Sequence, residues 1–236
     1  MFRKKQKEVI KTAPEIIGDN APFAFTESYN SLRTNLDFMT FSGEIKVISV
    51  TSSIPNEGKS SVSINLARAL SIAGNKVLLI DADLRAPSIH RYINVRNMGV
   101  GFSSVLSGQV DINEVIYQYK PLEINVILSG PIPPNPSELL MREKTQEILT
   151  QLKEKYDYII IDTPPLGVVS DAKIISRVSD GTLFVVRHQF TDRNLVKDVV
   201  KQLKGPDQKV LGIVFNNYET SGSDSTYTYG YGNSND

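Results

Sequence analysis

The chain has no cysteine. Disulfides, thiolate metal sites, cysteine nucleophiles and iron–sulfur ligation are therefore excluded. It has no excess of either charge, since 26 Lys and Arg balance 26 Asp and Glu. A protein that coats nucleic acid carries a basic surplus, so no nucleic-acid partner is expected. No apolar run approaches the roughly 18 residues needed to cross a bilayer. The longest, Val77-Leu78-Leu79-Ile80 and Tyr158-Ile159-Ile160-Ile161, are strand-sized. The basic start Phe2-Arg3-Lys4-Lys5-Gln6-Lys7 is followed by a stretch too polar for the apolar part of a signal peptide. It reads as a solvated tail on a cytoplasmic protein.

A chain of 236 residues can bury one good core. Residues 1–25, with Pro14, Gly18 and Pro22, lack a sustained period and read as an extended arm. From Thr26 to Met39 the apolar residues Tyr29, Leu32, Leu36 and Met39 recur at helical spacing, with Thr26 as N-cap. Strand-like runs at 45–51, 76–82, 124–128, 157–162, 181–187 and 209–215 then alternate with helical segments at 58–73, 101–118 (broken at Gly108), 137–155, 171–178 and 191–204. Most of the strands are continuous Val/Ile/Leu runs, as in strands buried on both faces of a parallel sheet. The pattern predicts an α/β fold over 26–217, a mostly parallel central sheet with helices on both faces. Residues 218–236 contain no aliphatic residue and read as a flexible, Tyr-rich tail that buries no core.

Three motifs carry chemistry. The strand Ile45–Val50 leads into Ser52-Ser53-Ile54-Pro55-Asn56-Glu57-Gly58-Lys59-Ser60-Ser61, and a helix follows. Alone, Gly58-Lys59-Ser60 is no more than a Gly-containing turn before a helix. Between a strand and a helix it reads as a P-loop, a phosphate cradle of backbone N–H groups at a helix N-terminus. Ser53, Pro55, Asn56, Glu57, Gly58, Lys59, Ser60 and Ser61 would surround ATP, Lys59 reaching the β- and γ-phosphates and the Ser60 hydroxyl holding Mg²⁺. Ser53 and Asn56 stand where glycines are usual. Asn tolerates a positive φ better than other side chains, so the loop still closes. The second motif ends a buried strand in Asp81-Ala82-Asp83-Leu84-Arg85. Carboxylates at the carboxyl end of a parallel strand lie where ligands bind, and can hold Mg²⁺ or receive a proton. The third, Tyr158-Ile159-Ile160-Ile161-Asp162-Thr163-Pro164-Pro165, has the Walker B form, with Asp162 toward Mg²⁺. The proline-rich stretch Ser129–Leu140 is stiff and should lie near the same rim, as a linker or as a substrate-side loop. Tyr227, Tyr229 and Tyr231 alternate with small residues in the tail. They are either low-complexity sequence or phenols offered to an active site.

In this order the features resemble the cytoplasmic bacterial tyrosine autokinases of capsular and exopolysaccharide biosynthesis, from about Thr26 to the end. Leu79-Ile80-Asp81-Ala82-Asp83-Leu84-Arg85 matches that family's additional Walker A′ motif, and Asp162 falls at its Walker B position. The resemblance implies a P-loop NTPase fold and ATP-dependent phosphorylation of C-terminal tyrosines of neighbouring copies in a ring. It implies activation by a cytoplasmic segment of a transmembrane adaptor, recruitment to the inner face of the membrane, and control of polysaccharide synthesis or export. Exogenous tyrosine substrates are also implied. Lys59, Asp81, Asp83 and Asp162 are then catalytic. Ser60, Asp83 and Asp162 hold Mg²⁺, and Asp81 orients the tyrosine hydroxyl and takes its proton. With ordinary pKa values of about 4 and about 10, an Asp is a poor base for a phenol. A loose transition state asks little of it. Tyr227, Tyr229 and Tyr231 are the acceptors, and Glu27 and Arg33 belong to the ring-forming helix. Asn30 replaces an Arg of that helix and predicts a weaker ring; Asn56 predicts lower nucleotide affinity. The other readings are an ATP-hydrolysing switch of the division-site or partitioning type, which has no need of a tyrosine tail, and a nucleotide-binding regulator without catalysis. An electron carrier of the nitrogenase iron-protein kind is excluded by the missing cysteine.

Overall fold

A computed structural model of the chain describes residues 16–18, 21–39, 45–95, 99–203, 205 and 208–217. The arm up to residue 15 and the tail from 218 onward, with Tyr227, Tyr229 and Tyr231, lie outside the described residues.

Helix α1 (Phe23–Met39) begins at Phe23, three residues ahead of the predicted Thr26. Pro22 supplies its first carbonyl, which accepts the Thr26 N–H at 3.1 Å. The end of the stretch expected to be extended is therefore helical. Tyr29 and Leu36 are the buried side chains of α1, and the helix lies on the next one. Strand β1 (Val47–Ser52) leads through the P-loop into α2 (Lys59–Ile72) and β2 (Val77–Asp81). Two short helices follow, α3 (Ile89–Tyr92) and α4 (Phe102–Leu106).

Here the structure departs from the predicted helix 101–118. Gly108 adopts φ +81°, Asp111 and Glu114 close a capping box around one 3₁₀ turn, and Tyr117–Tyr119 forms strand β3. The aromatic, β-favouring end of the segment pairs antiparallel with β4 (Ile124–Ile127). The predicted helix 137–155 is likewise two, α5 (Pro136–Leu140) and α6 (Glu143–Lys153), separated where Arg142 is extended. Then come β5 (Tyr158–Asp162), α7 (Asp171–Val178), β6 (Gly181–Arg187), α8 (Arg193–Lys201) and β7 (Val210–Asn216).

The sheet runs β3-β4-β2-β5-β1-β6-β7, and every pairing except β3 with β4 is parallel. Alternate strand residues feed two cores. Ile48, Val50, Leu79 and Ile160 pack under α2 with Ile64, Leu66 and Leu70. Val47, Leu78, Ile80, Ile159 and Ile161 pack on the opposite face with Leu149, Leu152 and Ile175. The central strands are buried throughout, which is why they read as continuous apolar runs. Among the described residues no helix is long and apolar enough to cross a membrane.

This topology decides where the chemistry sits. β1, β2 and β5 are neighbours and parallel, so their carboxyl ends share one rim. Asp81 and Asp162 are register partners, and Val50 of β1 pairs with Asp162 from the other side.

Candidate nucleotide and phosphoryl-transfer site

The loop after β1 closes as the sequence predicts. Asn56 has φ +67° and Gly58 φ +90°, so Asn56 takes the left-handed conformation that Asn tolerates. Gly58 cannot be replaced so easily. A Cβ there would strike the Asn216 side-chain amide, quite apart from the backbone strain. Pro55 and Asn56 are exposed, whereas Ser53, Glu57 and Ser60 are buried. The Ser53 hydroxyl is buried with no hydrogen-bond partner among the described residues, a donor left over in the loop wall. Ser61 lies in the first turn of α2, where its carbonyl accepts the Asn65 amide at 2.9 Å. The helix start leaves backbone N–H groups without intrahelical acceptors, the usual anion-binding arrangement.

The predicted catalytic side chains converge. Lys59 Nζ lies 3.0 Å from Asp83 Oδ2 and 3.7 Å from Asp162 Oδ2. Ser60 Oγ donates to Asp162 Oδ2 at 2.5 Å and lies 2.7 Å from Ser88 Oγ. Ser63 Oγ adds a bond to Asp162 Oδ1 at 3.3 Å. Asp83 Oδ1 accepts the Ala86 N–H at 3.0 Å, which turns the chain at the end of the motif. Asp81 is fully buried. It accepts three backbone N–H groups, from Asp83 at 3.2 Å, Ser88 at 3.2 Å and Ile89 at 3.1 Å.

The electrostatics correct one expectation. Asp81 does not have an ordinary carboxylate pKa: burial and the neighbouring Asp162 push it up to about 8. The shift belongs to the site with no cation bound; a cation beside the carboxyl would favour its ionised form. Asp162 is also raised, by burial, although Lys59 and Ser60 oppose the shift. Burial pulls Lys59 down, but Asp162 and Asp83 together outweigh it and its pKa lies above the usual value. Three carboxylates thus share one ammonium. A divalent cation at the phosphate loop would favour their ionised forms. Among the described residues no three His, Cys, Asp or Glu side chains form a metal cage. Mg²⁺ held with substrate phosphates needs only one or two protein ligands.

Several contributors are not legible in the motifs. Asp171, at the start of α7, is fully buried and ion-paired with Arg85 at 2.7 Å. Its other oxygen accepts the Ser137 hydroxyl at 2.6 Å. Arg85 also donates to Ser137 at 2.9 Å. The proline-rich stretch is therefore tied to the Asp81–Arg85 motif at the same rim. Asp171 reads in sequence as an ordinary first-turn acid, and nothing in the chain signals a partner 86 residues away. Gly167 packs against the P-loop, donating its N–H to Ser53 O at 3.1 Å. A Cβ on Gly167 would run into that carbonyl oxygen. Gly167→Ala should therefore displace the loop and weaken nucleotide binding by about 10-fold or more, since small misplacements of a binding site are costly. Titration with a fluorescent ATP analogue, alongside a melting curve, checks this; unchanged affinity would contradict it.

Beside the loop, between α1 and the end of β7, a groove of about 770 Å³ is lined by Phe25, Tyr29, Val62, His188, Val214 and Asn216, among others. On α1, Glu27 is exposed and accepts the Asn30 amide at 2.8 Å, while Arg33 pairs with Asp37 at 3.2 Å. Asn30 thus engages the Glu27 carboxylate within its own helix.

Comparison with known proteins fits this geometry. The AAA domain family model matches residues 45–208. The tyrosine-protein kinase YwqD of Bacillus subtilis is 36% identical over 204 residues, covering 86% of this chain and 85% of the relative. This chain belongs to the bacterial tyrosine-kinase family. Its fold is similar to the kinase domain of the Escherichia coli tyrosine kinase Etk, with TM-score 0.80 and 33% identity over 92% of this chain and 88% of that one. It is less similar to the septum site-determining protein MinD of Pyrococcus horikoshii in complex with Mg-ADP, with TM-score 0.64 and 26% identity over 76% and 73% of the two chains. The chain is a protein-tyrosine kinase on a P-loop NTPase fold, as its motifs predict.

Proposed function

We propose that this kinase transfers the γ-phosphoryl group of Mg-ATP to Tyr227, Tyr229 and Tyr231 of a neighbouring copy. The supporting observation is the convergence of Lys59, Ser60, Asp81, Asp83 and Asp162 at the carboxyl ends of three adjacent strands. Ser60, Asp83 and Asp162 would hold Mg²⁺, which when bound neutralises charge on the phosphates. Lys59 leaves Asp83 to meet the β- and γ-phosphates. Ser53, Pro55, Asn56, Glu57, Gly58 and Ser61 shape the loop around them. The nucleoside has room in the groove beside Asn216. Asp81 orients the incoming hydroxyl and accepts its proton in the ionised form, which a neighbouring cation would favour.

In this reading the kinase assembles as a ring through α1, with Glu27 and Arg33 at the contacts, and Asn30 lowers the stability of that ring. A cytoplasmic segment of a transmembrane adaptor activates it and recruits it from the cytoplasm to the membrane. The output is control of exopolysaccharide or capsule synthesis or export, with room for other tyrosine substrates. Each phosphotyrosine adds about −1.5 to −2 charges to the tail, which favours its departure from a phosphate-filled site. The test is incubation with Mg-ATP and an adaptor segment, followed by mass spectrometry of the C-terminal peptide. Phosphate on the three tyrosines is expected. Phosphate release with an unmodified tail would instead support an ATP-hydrolysing switch, the reading to which the likeness to MinD belongs.

A further inference from the structure

Residue 57 looks like a spacer in the P-loop, contributing only backbone to a phosphate cradle. Its side chain does more. Glu57 is fully buried, and both carboxylate oxygens are engaged. Oε2 accepts the N–H groups of Ser53 at 2.6 Å and Ile54 at 2.9 Å, across the loop itself. Oε1 accepts the Thr191 hydroxyl at 2.5 Å and the Arg187 N–H at 3.4 Å. The outer carbonyls of the loop are held from the same side. Asn216 Nδ2 donates to Glu57 O at 2.9 Å, and Arg187 Nη1 lies 3.4 Å from Asn56 O.

Two consequences follow. The N–H groups of Ser53 and Ile54 point at the Glu57 carboxyl, so the donors left for phosphate are those of the later loop and the start of α2. The loop conformation is also set from outside the motif, by the 187–191 turn after β6 and by the end of β7. A buried carboxylate is tolerated only when its acceptor sites are filled, and here Thr191 supplies the shortest of those bonds from the turn.

We infer that Glu57 and Thr191 are positioning residues that pre-form the phosphate loop, so that nucleotide affinity is governed by the 187–191 turn. A pre-formed loop needs no ordering when the nucleotide arrives, and affinity rises accordingly. This rests on the nucleotide-site reading above. The turn is accessible, since Phe190 is half-exposed with the Arg187 guanidinium 4.9 Å from its ring centre. A contact that moves the turn changes the loop.

The test uses the full chain, with Mg-ATP affinity from calorimetry, the separate KM and kcat of tail phosphorylation, and the melting temperature. Thr191→Val keeps the side-chain shape and removes the donor. It should weaken Mg-ATP binding and raise KM by about 10-fold, the effect of one hydrogen bond to a charged group, with kcat nearly unchanged and a lower melting temperature, since a buried acceptor is left unfilled. Thr191→Ser should restore wild-type affinity. Glu57→Gln should lose at least as much, because an amide cannot accept on both sides. Wild-type affinity in Thr191→Val overturns the inference. So does equal loss in Thr191→Val and Thr191→Ser with lowered melting temperatures, which would make the residue merely structural. Lys59→Met keeps the Glu57–Thr191 bond and should still lose binding. If the unsubstituted protein fails to bind Mg-ATP, the nucleotide-site reading itself falls, and this inference with it.

Discussion

Lys59→Met should abolish tail phosphorylation, by about 10³-fold or more. That is the scale seen when a cation that stabilises charge in phosphoryl transfer is removed. Lys59 is the ammonium shared by Asp83 and Asp162, and it stands at the first turn of α2 where a phosphate chain would lie. Its loss also strips two buried carboxylates of their counter-charge. Breaking a buried pair by removing one partner ordinarily costs about 3–5 kcal/mol. Here the cost should be smaller, because burial already raises the Asp162 pKa and loss of Lys59 removes a group that opposes protonation there. The variant should therefore fold and remain inactive. Mass spectrometry of the C-terminal peptide and a melting curve separate the two effects. A folded Lys59→Met protein that phosphorylates its tail at even a tenth of the normal rate would remove Lys59 from the mechanism.

Asp81→Asn should have a double effect. An amide cannot take the tyrosine proton, so transfer should fall by about 10²–10⁴-fold, the usual worth of a positioned acid or base. The second effect is on stability. The folded-state pKa of Asp81, about 8, lies above the ordinary aspartate value of about 4. Between those values the folded chain holds a proton that the unfolded chain has released. Stability from this group is thus fully present below pH about 4 and is lost as pH rises toward 8. The slope is at most about 1.4 kcal/mol per pH unit. Without nucleotide and Mg²⁺, the wild-type protein should lose stability from pH 5 to pH 8. Asp81→Asn should show a flatter profile and be relatively more stable at pH 8. Urea unfolding at pH 5, 6.5 and 8 measures this. Parallel profiles for the two proteins would show that the Asp81 carboxyl is ionised in the folded state throughout.

The reason Asp81 behaves this way is spatial, and it marks the boundary of what can be read from the chain. Strands ending in Asp at 81 and 162 are visible as apolar runs stopped by a carboxylate. That the two stops lie side by side depends on β2 and β5 being register partners. Burial and proximity then raise the pKa, and neither is a property of a tripeptide. Helices α5 and α6 make the same point. Their 19-residue helical pattern, 137–155, is sound locally, yet it breaks at Arg142, whose guanidinium reaches the Leu106 carbonyl at 3.3 Å. β3 was hidden inside a helical pattern because a short edge strand takes its identity from the strand it pairs with.

By itself the sequence determined the α/β class, the P-loop with its tolerated Asn56, and the carboxylates Asp81, Asp83 and Asp162 at or next to strand ends. Buried parallel strands need unbroken apolar runs, a phosphate loop needs Gly58 at positive φ, and a chain places carboxylates at strand ends only where they are solvated or paired. Only the tertiary structure decided that Asp171 holds Arg85 and that Glu57 is a buried clamp reached by Thr191. It also decided that Asp81 is buried beside Asp162, which raises its pKa. Those roles come from partners brought together across long separations in sequence, by strand order and register that no local pattern encodes.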